Sequence, residues 1–279
     1  MKTELTLGLP NGSLFEPTID LLKRLGITIR RNGRGFKAEI KGTSIFGKVL
    51  IMRPQDIPEA LVDGIIDVGI CGWDCVVEAE LEKEIIKIVE LPYGRNSRTS
   101  VRVVIFGKSE ELVDENNILV SAEYPSLARK VFKKAKIRFS HGTTEAKVAY
   151  GRYNYGVGVV DSGLSLAENG LKILRVLLVS PTVLIAREQL PEIEYFGQLL
   201  KGGFEAENYR LIKMDVNRQD KEKILSILPS LQSPTVNRLA NGNYAIETVA
   251  KNDEVVDLIF QLQRLGAKGI LVQEMNILL

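Results

Sequence analysis

A short loop of small and hydroxyl-bearing residues is the first feature of this sequence that could carry chemistry. It follows an apolar run at 157–160 and reads Asp161-Ser162-Gly163-Leu164-Ser165-Leu166. A phosphate needs several N–H and O–H donors that converge on one point, as they do where a glycine turn opens a helix. Gly163 would permit a close approach, and Ser162 and Ser165 would add hydroxyl donors. The loop therefore predicts a phosphate site in which Asp161 accepts hydrogen bonds from sugar hydroxyls, although ordinary strand-to-helix connections have the same composition.

The histidine and cysteine content narrows the chemistry further. His141 is the only histidine, so a metal site built from histidines is excluded and a histidine-centred triad is not expected. Cys71 and Cys75 lie four residues apart, but two thiols without a nearby histidine do not make a zinc site. We interpret both as packing residues and assign no metal site to side chains. Any reaction must then use carboxylates, hydroxyls, backbone amides and arginines.

Turns that follow three predicted strands would place polar residues at one edge of a sheet. Strands are predicted at 5–10, 49–52 and 67–70, and the helices between them favour a mostly parallel sheet. Ser13 and Glu16 have the spacing of a capping box for the first helix. In parallel sheets, ligands bind beyond the carboxyl ends of the strands. The residues expected there are Pro10, Asn11, Gly12, Arg53, Gly72 and Asp74.

A second set of alternating strands and helices follows. Strands are predicted at 100–106, 118–121, 137–139 and 157–160, and a further strand at 182–186 returns the chain to the first set. We therefore predict that the second set forms a lobe inserted into the first.

The pattern changes after a glycine-containing stretch at 198–204, which we interpret as a linker. The order then becomes βαββαβ, with a hairpin signal at Asn241-Gly242-Asn243 and an amphipathic helix at 253–265. This order is the split unit of ferredoxin-like domains. The predicted domains are 1–95 with 178–201 as the first lobe, 96–177 as the second lobe and 204–279 as a separate domain.

Composition excludes several classes of partner. The 279 residues are 45% hydrophobic and 26% charged, with a formal net charge of +2. No long basic run is present, so nucleic acid binding is not expected. No apolar stretch approaches the roughly 20 residues needed to span a bilayer, and no signal-peptide core opens the chain. We therefore expect a cytoplasmic protein that does not bind a membrane.

Several stretches carry a resemblance to a known family. They are Arg53-Pro54-Gln55-Asp56-Ile57-Pro58, Asp67-Val68-Gly69-Ile70-Cys71-Gly72-Trp73-Asp74, Ser162-Gly163-Leu164-Ser165-Leu166, Leu231-Gln232-Ser233-Pro234-Thr235-Val236 and Leu265-Gly266-Ala267-Lys268-Gly269-Ile270-Leu271. In this order they resemble ATP phosphoribosyltransferase in its long form, over essentially the whole chain. The resemblance implies an α/β fold with a two-lobed, periplasmic-binding-protein-like catalytic body and a C-terminal ferredoxin-like regulatory domain.

The resemblance also implies an activity and site residues. The family joins N1 of the ATP adenine to C1 of phosphoribosyl pyrophosphate and releases pyrophosphate, with Mg²⁺ present, in the first step of histidine biosynthesis. Catalytic roles are implied for Arg53 and Glu145. Binding of phosphoribosyl pyrophosphate is implied for Asp161, Ser162, Gly163, Leu164, Ser165 and Leu166. Binding of ATP is implied for Pro10, Asn11, Gly12, Asp67, Gly72 and Asp74. Feedback inhibition by histidine is implied through Asp215, Leu231, Ser233 and Thr235, in a homo-oligomer that assembles from dimers to hexamers.

This sequence departs from the family pattern at two places. Asn11 and Ser13 stand where the family opening usually has lysine and arginine, and Gly158 stands where the family has an aspartate. Losing two cations beside two polyphosphates is a large change, so a catalytically weakened regulatory paralogue of the same fold is the alternative. A periplasmic solute-binding protein is a third possibility, which the missing signal peptide opposes. Asp67 and Asp74 also fit turn or helix-cap roles, and Glu145 fits an exposed first-turn glutamate.

Overall fold

The computed structural model describes residues 4–31, 35–93, 100–160 and 163–279. The chain divides into two compact units, Met1–Gln198 and Leu199–Leu279. The described strands form a seven-stranded first sheet and a five-stranded second sheet in the first unit, and a four-stranded third sheet in the second unit. We call the parts built on the first and second sheets the first lobe and the second lobe.

The first sheet is parallel only at its centre. Its strands are β1 (Leu5–Pro10), β2 (Thr28–Arg31), β3 (Lys37–Lys41), β4 (Phe46–Met52), β5 (Val68–Gly72), β6 (Ile86–Leu91) and β12 (Thr182–Ala186). Their order is β2-β3-β4-β1-β5-β12-β6, and β1 runs parallel to both β4 and β5. Every other described pairing in this sheet is antiparallel, because β2 and β3 form a hairpin and β12 re-enters between β5 and β6. The expectation of a mostly parallel sheet is therefore wrong outside the centre.

Three helices follow the parallel strands of the first lobe: α1 (Phe15–Arg24), α2 (Ile57–Val62) and α3 (Trp73–Glu78). A 3₁₀ turn at Gly12–Leu14 precedes α1. Because of this turn, Leu14 rather than Ser13 stands at the N-cap, and no side chain caps the helix. The predicted capping box is therefore wrong.

The second sheet has three parallel strands at one side. Its strands are β7 (Val101–Gly107), β8 (Leu119–Ala122), β9 (Lys136–Phe139), β10 (Tyr155–Val160) and β11 (Lys172–Ser180). In the order β11-β7-β10-β8-β9, the strands β10, β8 and β9 are parallel, whereas β7 and β11 are antiparallel to their neighbours. The helices are α4 (Pro125–Val131), α5 (Thr144–Ala149) and α6 (Leu164–Glu168). The loops after β8, β9 and β10 consequently leave the same edge of the sheet.

A long helix replaces the predicted linker. Helix α7 runs over Pro191–Glu205 and contains Gly202 and Gly203. Ile193, Phe196 and Leu200 are fully or almost fully buried, and their spacing places them on one helical face. This apolar face outweighs the low helix propensity of the two glycines. The stretch is therefore helical rather than a flexible linker, although the boundary between the two compact units, Gln198/Leu199, does fall within it. Across the part of the chain that is described, neither α7 nor any other helix has the length and apolar character needed to cross a bilayer.

The second unit is a ferredoxin-like domain. Its elements follow as β13 (Tyr209–Val216), α8 (Lys221–Leu225), β14 (Thr235–Arg238), β15 (Tyr244–Lys251), α9 (Val255–Arg264) and β16 (Lys268–Glu274). The sheet order is β14-β15-β13-β16, and all its pairings are antiparallel. The core between this sheet and its helices includes Ile212, Met214, Ile246, Leu258 and Leu262. The predicted βαββαβ order and the hairpin between β14 and β15 are confirmed.

Candidate active site

A cleft of about 770 Å³ lies between the two lobes at the carboxyl ends of their parallel strands. Loops after β1 and β4 line it on the first lobe, and loops after β8 and β9 line it on the second. A volume of this size is within the usual range of about 300–1,000 Å³ for small-molecule sites. The lining residues used below are Asn11, Gly12, Arg53, Asp56, Glu59, Glu78, Glu123, Ser140 and His141.

Arg53 enters the cleft because of how β4 ends. The Asn11 N–H donates to the Met52 carbonyl at 2.7 Å, which keeps the ends of β1 and β4 together. Arg53 is extended, with φ −64° and ψ 140°, and Pro54 then begins a 3₁₀ turn. The exposed Arg53 side chain therefore lies at the end of β4, where the Asn11–Met52 hydrogen bond and the turn at Pro54 fix the backbone.

Glu123 occupies a position in the second lobe like that of Arg53 in the first, because it directly follows a strand, β8, and lines the cleft. Its N–H donates to the Val157 carbonyl at 2.8 Å, so it continues the parallel pairing of β8 with β10. The Thr144 hydroxyl lies 2.7 Å from Glu123 Oε1 and is fully buried. Thr143, just before it, has a left-handed φ of 54°, a conformation that L-residues adopt only under local constraint. The tight turn into α5 thus aims a buried donor at a carboxylate in the cleft.

The cleft lining carries more negative than positive charge. Asp56, Glu59, Glu78 and Glu123 contribute carboxylates, whereas Arg53 is the only arginine or lysine among its described lining residues. Arg95 and Arg98, which precede β7 in the sequence, lie outside the described residues. A polyphosphate in this cleft would therefore need additional positive charge.

Asp74 joins the first lobe to the second through its carboxylate. It is 4% exposed, and the Ser180 hydroxyl lies 2.6 Å from Asp74 Oδ1. The Tyr124 hydroxyl donates to Asp74 Oδ2 at 2.5 Å, and the Asp74 N–H donates to Ser180 Oγ at 2.8 Å. Because these bonds engage both carboxylate oxygens, the effect of Asp74 on the cleft is to hold Tyr124 and Ser180 in position.

Glu78 makes a second connection from α3 to the second lobe. Its Oε1 accepts the Ser126 N–H at 2.7 Å, and its Oε2 accepts the Leu127 N–H at 3.0 Å. These amides belong to the first turn of α4, where intrahelical partners are missing. A carboxylate at a helix N-terminus also interacts favourably with the helix dipole. Helix α3 therefore caps α4 across the cleft.

The chain crosses between the lobes next to this contact, and both crossings are hydrogen-bonded. The Trp73 N–H donates to the Pro181 carbonyl at 2.9 Å, and the Thr182 hydroxyl donates to the Tyr93 carbonyl at 2.6 Å. The Tyr93 hydroxyl lies 2.8 Å from Thr18 Oγ1. Burial raises the pKa of the Tyr93 phenol well above its usual value. Burial, and secondarily the charge of Asp74, raise the pKa of the Cys71 thiol.

The structure brings some of the predicted ATP residues to the cleft. Asn11 and Gly12 line it, and Pro10 is the buried last residue of β1. Gly72 and Asp74 instead line a small cavity of about 40 Å³ beside Ser180. A Cβ at Gly72 would lie 2.2 Å from Asp74 Oδ1, so glycine is required there to accommodate that carboxylate.

Asp67 is not brought to the cleft. It precedes β5 and therefore lies at the amino end of a strand whose carboxyl end faces the cleft. Its Oδ2 accepts the Thr6 N–H at 2.8 Å, and its Oδ1 lies 3.7 Å from Arg187 Nη2. The assignment of Asp67 to ATP is therefore corrected: it ties together strand ends at the opposite edge of the sheet.

The predicted phosphate loop begins where β10 ends. Asp161 and Ser162 lie outside the described residues. Gly163 has a left-handed φ of 81° and opens α6, while Leu166 is 2% exposed and anchors the helix. Leu164 and Ser165 are exposed. Their edge of the second sheet is also the edge at which Glu123 lies.

Glu145 is partly buried and directly follows Thr144 at the start of α5. From the preceding loop, Ser140 and His141 line the cleft, and Glu145 is not among the described residues that do so. In the chain, Glu145 is therefore the neighbour of Thr144, whose hydroxyl donates to Glu123.

A separate cavity of about 520 Å³ lies in the ferredoxin-like domain. Leu231, Ser233 and Thr235 line it together with Glu247. Asp215 is exposed on β13, where it pairs with Ala245 and Lys268, and it is not among the described residues that line this cavity. Three of the four predicted histidine-binding residues therefore meet, and Asp215 lies apart from them.

The residues that connect the lobes were missed from the sequence. Glu78, Tyr124 and Ser180 come from three distant segments, and their contacts depend on tertiary packing. Glu123 did carry a usable signal, because it follows a predicted strand and precedes a proline that opens a helix.

A two-lobed α/β body with a cleft at its strand ends defines a small-molecule-binding protein, here with a ferredoxin-like domain attached. The sequence profile described as ATP phosphoribosyltransferase matches residues 53–201, and the profile described as HisG, C-terminal domain, matches residues 206–277. The chain belongs to the ATP phosphoribosyltransferase family.

Individual relatives extend over nearly the whole chain. An ATP phosphoribosyltransferase of Nitratidesulfovibrio vulgaris is 34% identical in an alignment of 288 positions that covers 98% of this chain and 97% of the relative. One of Desulforudis audaxviator is 32% identical in an alignment of 292 positions that covers 98% of either chain. Among solved structures, a chain of the ATP phosphoribosyl transferase (HisG:HisZ) complex from Thermotoga maritima matches with a TM-score of 0.56 and 25% identity, covering 66% of this chain and 87% of that chain.

Proposed function

We propose that this chain transfers the phosphoribosyl group of phosphoribosyl pyrophosphate to N1 of ATP and releases pyrophosphate, the first step of histidine biosynthesis. The observation that carries the proposal is the cleft formed by parallel strand ends of two lobes, in a chain whose relatives over its full length are ATP phosphoribosyltransferases. The reaction class is pentosyl transfer.

The chemical step needs positioning more than proton transfer. The lone pair of adenine N1 forms a bond to C1 of the sugar while the C1–O bond to pyrophosphate breaks, and the leaving oxygen keeps the electron pair. Adenine N1 carries no proton to be removed, so no general base is required for attack. The barrier falls when the two substrates are held in line and the charge on the leaving group is stabilised.

We assign the stabilisation of the leaving group to Arg53 and the positioning of the sugar to the phosphate loop. The Arg53 guanidinium would donate paired hydrogen bonds to pyrophosphate oxygens as negative charge develops. Residues Asp161, Ser162, Gly163, Leu164, Ser165 and Leu166 would hold the 5-phosphate. Pro10, Asn11 and Gly12 would contact ATP, with Gly72 and Asp74 fixing the wall behind them. Glu145 is proposed to act close to the sugar through the turn into α5.

Mg²⁺ is the metal ion proposed to accompany the substrates in this cleft. Carboxylates such as those of Asp56 and Glu59, together with the oxygens of pyrophosphate, are the ligands that Mg²⁺ prefers, and it usually takes only one or two from the protein. The excess of carboxylates over Arg53 supports the requirement for a cation. When bound, the ion would neutralise charge on the pyrophosphate.

Feedback inhibition by histidine is proposed for the ferredoxin-like domain. The cavity lined by Leu231, Ser233 and Thr235 supports the proposal, and its Glu247 carboxylate lies 3.1 Å from Lys213 Nζ. Ser233→Ala should weaken histidine inhibition and leave uninhibited turnover nearly unchanged. Asp215→Ala tests whether a residue apart from this cavity contributes, and unchanged inhibition in that variant would remove Asp215 from the site.

A homo-oligomer, from dimer to hexamer, is also proposed. Val256 and Phe260 on α9 are 76% and 61% exposed, and Leu271 on β16 is 59% exposed. Apolar side chains in such positions are typical of surfaces that pair. Light scattering on the purified protein gives the assembly mass directly. The domain boundaries 1–95 with 178–201, 96–177 and 204–279, and the cytoplasmic location, stay predictions.

The function is tested by mixing the protein with ATP, phosphoribosyl pyrophosphate, Mg²⁺ and pyrophosphatase. We expect phosphoribosyl-ATP to accumulate, measured by ultraviolet absorbance, and chelation of Mg²⁺ to stop its formation. If calorimetry records binding of both substrates while no product forms, the catalytically weakened paralogue is the correct interpretation.

A further inference from the structure

We propose that the Glu123 carboxylate binds the hydroxyls of the pentose, and that the lack of a side chain at Gly158 leaves space for this carboxylate. The Glu123 carboxylate would accept hydrogen bonds from the 2- or 3-hydroxyl of a ribose 5-phosphate group in the cleft. The inference deepens the proposed function and rests on it for the identity of the sugar.

The first observation is the space beside Gly158. A Cβ built at Gly158 would lie 3.2 Å from Glu123 Oε1, closer than most real Cβ contacts, and 3.6 Å from Glu123 Cδ, an ordinary contact. The Glu123 carboxylate therefore fills the volume that a side chain at residue 158 would take. Gly158 also stands where the family pattern has an aspartate, so the carboxylate is present here but comes from the neighbouring strand.

The second observation is how firmly that carboxylate is held. Thr144 Oγ1 lies 2.7 Å from Glu123 Oε1 and 3.0 Å from Ser140 Oγ, and Lys147 Nζ donates to the same Ser140 Oγ at 2.6 Å. Thr144 is fully buried and Ser140 is 2% exposed. A carboxylate with a buried donor behind it and a cleft in front is preorganised to accept hydrogen bonds from a ligand.

The third observation is the register of the two strands. Ala122 on β8 pairs with Val157 on β10, so Glu123 is level with Gly158, two residues before the last residue of β10, Val160. Two residues of strand span roughly 7 Å, about the length of a pentose between its 5-phosphate and its far hydroxyls. A sugar whose phosphate binds at the loop after Val160 would therefore present its hydroxyls to Glu123.

The test measures sugar discrimination without turnover. Calorimetry gives the dissociation constants of ribose 5-phosphate and of its 2-deoxy and 3-deoxy analogues. A hydrogen bond from a ligand hydroxyl to a carboxylate is worth a discrimination of roughly 10- to 100-fold against the analogue that lacks the hydroxyl. We expect wild type to reject at least one analogue by about that factor, and Glu123→Ala to bind all three sugars within about threefold of one another.

Matched variants separate this role from a structural one. Glu123→Gln keeps an acceptor for Thr144 and should retain the fold with intermediate discrimination. Glu115→Ala changes an exposed glutamate before the other end of β8 and should discriminate as wild type does. Gly158→Asp alone should weaken all three sugars because two carboxylates crowd one site. In the Glu123→Ala background the same change should restore discrimination.

Two results would overturn the inference. One is a wild type that binds the three sugars equally or binds none of them. The other is a Glu123→Ala variant that weakens all three by the same factor, since that would mean Glu123 only supports the loop. Failure of the proposed function is distinct: sugar discrimination without phosphoribosyl-ATP formation would leave Glu123 as a sugar-phosphate residue in a protein with another reaction.

Discussion

Two sets of acidic residues lie in or directly behind the lining of the cleft and are held in opposite ways. Asp74 and Glu78 on α3 reach into the second lobe, where the Tyr124 hydroxyl and two α4 amides engage their carboxylates. Asp56 and Glu59, after β4, line the cleft from exposed positions. The α3 pair therefore sets how the lobes meet, whereas the β4 pair and its neighbour Arg53 are available to a ligand.

The difference shows that a carboxylate near a binding site is not by itself a ligand-binding group. Removing one partner of a buried hydrogen-bonded set leaves the others unsatisfied, at a cost of roughly 1–3 kcal/mol for each group. Removing an exposed side chain changes the free energy of unfolding by only about 0.5 kcal/mol or less. Stability measurements and turnover measurements should therefore divide these residues into the same two sets.

The largest expected effect comes from Asp74→Ala. The change leaves the Tyr124 and Ser180 hydroxyls without their buried acceptor, and we expect a loss of about 3 kcal/mol in the free energy of unfolding. Urea unfolding followed by circular dichroism measures it. Asp63→Ala, at an exposed helix end, is the control and should cost less than about 0.5 kcal/mol. A loss as small for Asp74→Ala would show that Asp74 does not hold the lobes.

Arg53→Ala should give the reverse pattern. The fold should keep its stability because the side chain is exposed, while kcat/KM should fall by roughly 100-fold as the leaving pyrophosphate loses a cation. Steady-state kinetics with phosphoribosyl pyrophosphate as the varied substrate measures the effect. Arg53→Lys should recover only part of the loss, because an ammonium group cannot make the paired contact. Full activity in Arg53→Ala would remove Arg53 from the site.

How much of this could be predicted from the sequence depends on which contacts are local. The sequence was sufficient to predict Arg53, Gly163 and the βαββαβ order, because strand ends, glycine turns and element order depend on neighbouring residues. It was not sufficient to predict the α3 contact, since Ser180 lies 106 residues from Asp74 in the chain. Asp67 was misassigned because its ATP role came from the family resemblance alone. The predicted strand at 67–70 already placed Asp67 at the amino end, whereas the cleft lies at the carboxyl ends of the strands.

Glu78→Gln should have a smaller effect of the same kind as Asp74→Ala. The amide oxygen can still accept one α4 N–H, but the NH₂ group then faces the other donor, so we expect a loss of roughly 1–2 kcal/mol. Urea unfolding measures the loss, and limited proteolysis of the α4 region reports whether the lobes separate more often. Glu82→Gln, an exposed change just beyond α3, should leave both measurements as in wild type. Equal protease resistance in Glu78→Gln and wild type would count against the contact.

The smallest effect is expected at the first crossing between the lobes. Burial raises the pKa of Tyr93 well above its usual value of about 10, so the folded protein keeps the proton to higher pH than the unfolded chain does. Above about pH 10 the native state therefore binds one more proton, and this residue lowers the free energy of unfolding by about 1.4 kcal/mol per pH unit as pH rises. Below that pH its contribution is constant.

Tyr93→Phe tests this assignment by changing the shape of the pH profile. Near pH 8 the variant should lose about 1 kcal/mol, because Thr18 Oγ1, which donates to the Leu14 carbonyl, loses the hydrogen bond that it accepts from Tyr93. Between about pH 10 and 12 its stability should fall less steeply than that of wild type, so the two curves converge. Tyr150→Phe, which changes a tyrosine that is 82% exposed, should run parallel to wild type throughout. Parallel curves for Tyr93→Phe and wild type would mean that burial does not raise the pKa of the Tyr93 phenol.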